Sequence, residues 1–203
     1  MAKTRLTKNE LKIQRDALRR FNHYLPMLQL KKQQLQVEVG RVDNLMAELN
    51  KHIELLKEKT YLWVDVFAED VNLDSLIKIK GINTEIGNIA GIEIPLFISV
   101  EFQRKDYDYF TTPLWVDRAI EVLLETIQLK AKLVILKRQK DILKEELRIT
   151  TQRVNLFEKV KIPEATENIR LIQIHLGDLE TANVVRGKIA KAKIEQRREL
   201  VTI

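Results

Sequence analysis

Cysteine is absent from the 203 residues, which excludes disulfides and every metal site built on thiolates. Glycine and proline are scarce, at 6 and 4. A fold with many turns needs more of both, so the composition favours long helices. Aromatics make up 6% of the chain, too few for a large globular core. No apolar run approaches the roughly 20 residues that span a bilayer, so direct membrane insertion is not expected. The opening, MAKTRLTKNELK, carries no apolar signal core, and a cytoplasmic chain is the expectation.

Catalytic groupings are missing as well. His23, His52 and His175 are the only histidines; the first two lie too far apart along one helix to meet at a metal, and no carboxylate cluster accompanies any of them. GINTEIGNIAG has glycines, but at neither the Walker nor the dinucleotide spacing. The carboxylates of KDILKEELR alternate with lysines at helical spacing, the pattern of a solvated face. An acid–base pair needs two carboxylates held in a cleft in different environments, and nothing here forms one. No catalytic, cofactor-binding or metal-ligating residue is assigned, and no cofactor is expected.

What is present is a long heptad repeat. With Thr4 as position a, the a and d positions run to Thr60 and Trp63, and 13 of these 18 positions are apolar, with no change of register. That persistence predicts a coiled-coil helix rather than a short globular one, roughly 90 Å long at 1.5 Å per residue. Pro26 falls at b, off the seam, where it bends the helix while the seam continues.

A second arm starts near TTPLWVDRAIEVLLE, with Thr111 or Thr112 as its cap and Pro113 in its first turn. One apolar stripe runs through Val122, Leu129, Leu133, Leu136, Leu143, Leu147, Val154 and Phe157. A second, Ile120, Leu123, Ile127 and Val134, covers another face, so the first turns need a further neighbour. Past Phe157 the stripe resumes one residue out of phase, as Ile162, Ala165, Ile169, Ile172, Leu176 and Leu179. One extra residue rotates a helical face by about 100°. The Ile162–Pro163 step sits at the slip, and a local break or kink near 161–163 is expected to re-aim the face. Antiparallel arms would set Trp63 near Arg118 and Thr4 against Gly177, leaving the C-terminal helix to project beyond about residue 179.

Nine of the twelve aromatics lie between Tyr61 and Trp115. There, SLIKIKGI and LFISVEF alternate as strands do, with Gly81, Gly87 and Gly91 available for turns. One or two small hairpins are expected; residues 65–76 read as a loop or short helix. The fold class is therefore mainly α: a long antiparallel two-helix coiled coil with a small β-hairpin insert. Its parts are residues 1–64, 65–112 and 113–203.

Charge gathers at the two chain ends. Lys3, Arg5, Lys8, Lys12, Arg15, Arg19 and Arg20 lie near the start, and Arg186, Lys188, Lys191, Lys193, Arg197 and Arg198 near the finish. Antiparallel pairing brings both groups to one end. With a net charge of +6, a solvated tip, an anionic protein socket and nucleic acid all remain as readings. Against nucleic acid, the last 46 residues contain no aromatic to stack on bases.

Three segments carry a family resemblance. In RVNLFEKVKIPEATENIRLIQIHL, the residues Arg153, Val154, Asn155, Phe157, Glu158, Ile162 and Pro163 resemble the C-terminal signature of the D subunit of V-type and A-type rotary ATPases. NIAGIEIP, Asn88 to Pro95, resembles that family's central N-x-x-G-[VI]-x-x-P, and TRLTKNELKIQRDAL its opening. The likeness covers nearly the whole chain in order. One departure is YLPMLQLKKQQL, where the family usually has a glycine and then a Leu-Leu-Lys-x-Lys-Arg run; it suggests a bacterial branch.

The resemblance implies a central-stalk rotor axle without chemistry of its own, peripheral on the cytoplasmic face of the membrane. It implies as partners the catalytic A and regulatory B subunits, the small stalk F subunit, and a socket (the C or d subunit) that joins the membrane ring. It places Lys3, Arg5, Arg186, Lys188, Lys191, Lys193, Arg197 and Arg198 inside the catalytic hexamer, and sets the F subunit against the Ile120, Leu123, Ile127 and Val134 stripe. A basic coiled-coil hairpin that binds nucleic acid is the alternative.

Overall fold

The structure is a computed structural model that describes residues 5–61, 76–105, 113 and 115–201, with side chains described as far as Arg197. The expected cap at Thr111 or Thr112, residues 65–75, Trp63 and Lys3 lie outside the described residues. The elements are helix α1 (Lys8–Tyr61), strands β1 (Ile77–Ile89) and β2 (Ile92–Arg104), helix α2 (Trp115–Leu156), a π-helical turn (Phe157–Lys161) and helix α3 (Ile162–Val201). They fall into two compact units, residues 31–150 and residues 1–30 with 151–203.

Helix α1 is capped by Thr7, whose Oγ1 accepts the Glu10 N–H at 3.3 Å, while Glu10 Oε1 accepts from Gln14 Nε2 at 2.8 Å. From Leu11 to Thr60, every a and d residue is buried or half-buried. Pro26 is exposed and the helix runs through it. Its ring leaves the Asn22 carbonyl without an intrahelical donor, on a side that water reaches.

In the unit of residues 31–150, α1 and α2 pack antiparallel. Leu35, Val42, Leu136 and Leu143 share one core with Ile94 of β2, and Leu35 and Leu143 are wholly buried. Lys31–Glu146 and Asp43–Lys140 are ion pairs across the two helices, and His52 Nε2 lies 3.6 Å from Glu125.

Among its described residues the insert is one hairpin of two 13-residue strands. Its base packs through Ile77 and Phe102 on Val116, Ile120, Leu123 and Leu124. Its tip packs through Ile89, Ala90, Ile92 and Ile94 on Leu35, Val42, Leu136 and Leu143. Twelve strand steps and the 27 residues from Val116 to Leu143 both span about 40 Å, so the ribbon runs along the helix pair. The need of α2 for a third neighbour, expected over its first turns, continues to Leu143.

Only Gly91 of the three insert glycines forms a turn. Ala90 and Gly91 have φ of 52° and 78°, and Ile89 pairs with Ile92, which makes a two-residue type I′ connection. Gly81 lies beside a bulge at Lys80, and Gly87 lies under Leu96, whose side chain would sit 2.6 Å from an added Cβ.

In the other unit, Phe21 and Phe157 have ring centroids 5.2 Å apart, and Lys8 lies 3.9 Å from Glu180, so the pairing is again antiparallel. The helix does not end at Ile162–Pro163. The Ile162 N–H bonds to the Phe157 carbonyl, five residues back, and this turn holds the one extra residue that the phase slip demands. Val154, Ala165 and Ile172 are buried on either side of it. Pro163 follows directly inside the continuous winding, so its missing N–H leaves a carbonyl of the π turn without an intrahelical donor.

Candidate interaction surfaces

The hairpin's NIAGIEIP segment shows why its residues are spaced as they are. Asn88 Oδ1 accepts the Gly91 N–H at 3.0 Å, which fixes the left-handed turn. Ile92 and Ile94 enter the core. The carbonyl of Pro95 accepts a hydrogen bond from Nε2 of Gln139, a buried polar side chain of α2. One motif thus sets the turn, packs the tip and ties the ribbon to the helix.

Both strands carry a bulge. Lys80 is the extra residue on β1 and Ile98 on β2. Alternation alone would put Ile79 and Ile82 on opposite faces. The Lys80 bulge instead places them together, since the ladder pairs Ile79 with Phe102, Ile82 with Val100, Thr84 with Phe97 and Ile86 with Pro95. The β2 row of that face is buried or half-buried. The β1 row is open, with Ile79, Ile82 and Ile86 exposed by 55%, 42% and 74%. Sequence periodicity missed this row because the bulge breaks the period of two. A groove of about 380 Å³ beside the tip, lined by Arg41, Val42, Leu45, Leu96, Lys132 and Gln139 among others, marks the opposite side of the ribbon.

Of the stripe expected to meet a small partner, Ile120 is buried at 6% and Leu123 packs against the same cluster. Both already serve the chain's own core. Ile127 is half-buried, and Val134 is 61% exposed.

The basic residues stand apart from any packing. Arg5 is exposed, and so is every residue from Asn183 to Arg197, including Arg186, Lys188, Lys191, Lys193 and Arg197. Arg198 lies in α3 beyond the described side chains. Lys191 lies 3.9 Å from Glu195 on the same helix. On α3, Arg186, Lys193 and Arg197 share one face at i, i+7 and i+11, and Lys188 and Lys191 another. The signature residues Arg153, Val154, Asn155, Glu158, Ile162 and Pro163 bracket the π turn, with Val154 buried and Ile162 half-buried. Lys161 and Glu164, 3.2 Å apart, bridge its end. Among the described residues no group of His, Asp or Glu could hold a metal ion, no buried side-chain polar atom lacks a partner, and no helix is long and apolar enough to cross a membrane.

Comparison with known proteins agrees with this layout. The family model for the ATP synthase D subunit matches residues 10–192. The V-type ATP synthase D subunit of Borreliella burgdorferi is 49% identical over 194 residues, covering 96% of each chain. Those of Chlamydia abortus and Chlamydia pneumoniae are 34% and 36% identical, over 98% and 96% of this chain and 97% and 94% of theirs. Taken with the signature around the π turn and the NIAGIEIP ribbon tip, these matches establish that the chain belongs to the ATP synthase D-subunit family.

Proposed function

We propose that this chain is the central-stalk subunit, the rotor axle, of a V-type or A-type ATPase. It carries rotation between the hexamer of A and B subunits, which hydrolyses or makes ATP, and the membrane ring that moves ions. The observation that carries the reading is the family match across residues 10–192, joined to paired helices that end in a basic segment exposed on every side.

On this reading the chain is a structural component, peripheral on the cytoplasmic face, and the ATP chemistry takes place on its partners. One asymmetric axle meets three catalytic interfaces differently and so favours a different nucleotide state at each. Lys3, Arg5 and the cations from Arg186 to Arg198 enter the hexamer cavity. Their charge acts over about 8 Å at physiological salt, and each exposed contact contributes ~1 kcal/mol or less. The F subunit meets α2 around Ile127 and Val134, and a socket formed by the C or d subunit receives the other end. Residues 1–64 and 113–203 are the shaft and residues 65–112 its insert.

The test is reconstitution with the catalytic hexamer. The full chain should copurify with the ATPase head, and a chain truncated after Leu179 should assemble or couple poorly. Equal coupling by the truncated chain would make the basic segment a solvated tip. Release from nucleic acid by salt, followed at 260 nm, would point instead to a nucleic-acid binder.

A further inference from the structure

A two-stranded ribbon has two outer edges, and here they differ. The edge of β2 carries Pro95, which has no N–H to offer, and its carbonyl is taken by Gln139. Because Pro95 cannot donate to β1, its pair with Ile86 is one whose backbone groups point away from the shared ladder. By alternation, the amides of Thr84 and Asn88 on β1 also point outwards. Among the described residues these amides meet no backbone acceptor beyond the ribbon. The usual guards of an edge strand are proline, charged side chains and bulges. From Gly81 to Ile89 β1 has just one of these, Glu85, which pairs with Leu96 on the face opposite the isoleucine row. That stretch instead presents Ile82 and Ile86 to solvent, with Ile79 brought onto the same face by the Lys80 bulge. Lys78 and Lys80 are exposed at the base end of the row.

We propose that β1 is completed in the assembled ATPase by an extended strand from another of its proteins. That strand is apolar and β-branched where it meets Ile79, Ile82 and Ile86, and carries carboxylates at the end that meets Lys78 and Lys80. The proposal rests on the central-stalk reading. Strand addition takes its affinity from the outward backbone groups and its selectivity from alternate side chains. A second copy of this chain is a poorer occupant. Antiparallel self-pairing about Thr84 would set Ile82 against Ile86, but would leave Lys80 opposite Asn88, with no carboxylate to meet it.

Amide hydrogen exchange tests this on the free chain and on the intact ATPase that contains it. The amides of Thr84, Ile86 and Asn88 should exchange about 100-fold more slowly in the complex. Thr84→Pro removes one outward donor and leaves the ladder intact. It should speed loss of the strand-donating protein about ten-fold in a dilution assay, while Thr84→Val keeps it. Unchanged exchange at these amides, in a complex that does contain the chain, overturns the proposal and leaves the central-stalk reading standing. A chain absent from any ATPase removes that reading itself. Slow exchange already present in a dimer of the free chain, or gained on vesicles of anionic lipid, also overturns the proposal.

Discussion

Ala90 carries the ribbon's backbone strain, since it holds the left-handed conformation without being glycine. Replacing it with asparagine should raise stability by ~1 kcal/mol, read as a higher thermal midpoint with the ribbon unchanged. The sequence favours Gly91 for the turn but gives no sign that alanine shares it, because propensity speaks for one residue and a type I′ turn needs two. Gly81 and Gly87 read as further turns for the same reason, whereas one sits at a bulge and the other under Leu96. Pro26 is easier to place. The heptad puts it off the seam, and it is exposed inside a continuous helix. Pro26→Ala restores an intrahelical bond and should stabilise α1 by up to ~3 kcal/mol. Urea unfolding would show it as a higher midpoint at constant slope.

At the scale of the element, α1 is legible because a period of seven repeated over 50 residues averages out local exceptions such as Lys32. The ribbon is legible only as strands. Its bulges insert one residue each, and no residue type announces them. They decide which isoleucines share a face, so the open row of β1 stays hidden, while Ile120 and Leu123, offered by the helical pattern, turn out to be core. Leu143, wholly buried between α1, α2 and β2, should cost about 2–5 kcal/mol when cut to alanine; unfolding by denaturant measures it. The exposed helix faces respond to pH. Arg148 and Arg170 each donate two hydrogen bonds to Glu145 and Glu167, one turn away, and hold those carboxyls below the usual glutamate range. A carboxyl lowered in the folded state contributes stability that is complete above its unfolded value and is lost as pH falls through the folded one. Denaturation midpoints should therefore decline on acidification below about pH 4, and the double substitution Glu145→Gln, Glu167→Gln should flatten that decline. Lys140 behaves in the opposite sense. Its hydrogen bond to Asp43 raises it, so that contribution holds at neutral pH and is lost only in strong alkali.

For the whole molecule, the expected order of events follows from burial. Hydrogen exchange on the free chain should be slow across Val39–Leu56 and fast from Asn183 to Arg197, where no side chain is covered. Equal protection of the two would contradict the structure. The π turn bears on a different matter, the tolerance of the gene to length changes. In a heptad coiled coil, losing one codon throws every later seam residue off its partner. Phe157–Lys161 already holds one residue more than α-helical winding needs. Deleting Lys159 can revert the turn to ordinary winding, and leaves the residues after it facing α1 as before. The deleted protein should keep its helix content by circular dichroism and the fit of Ala165 and Ile172 to α1, with little change in thermal midpoint. The same deletion at Asp141 has no such turn to absorb it, and should turn Leu143 and Leu147 away from α1 and lower the midpoint. The π turn thus gives the gene one position at which a residue can be lost without re-aiming the helix face.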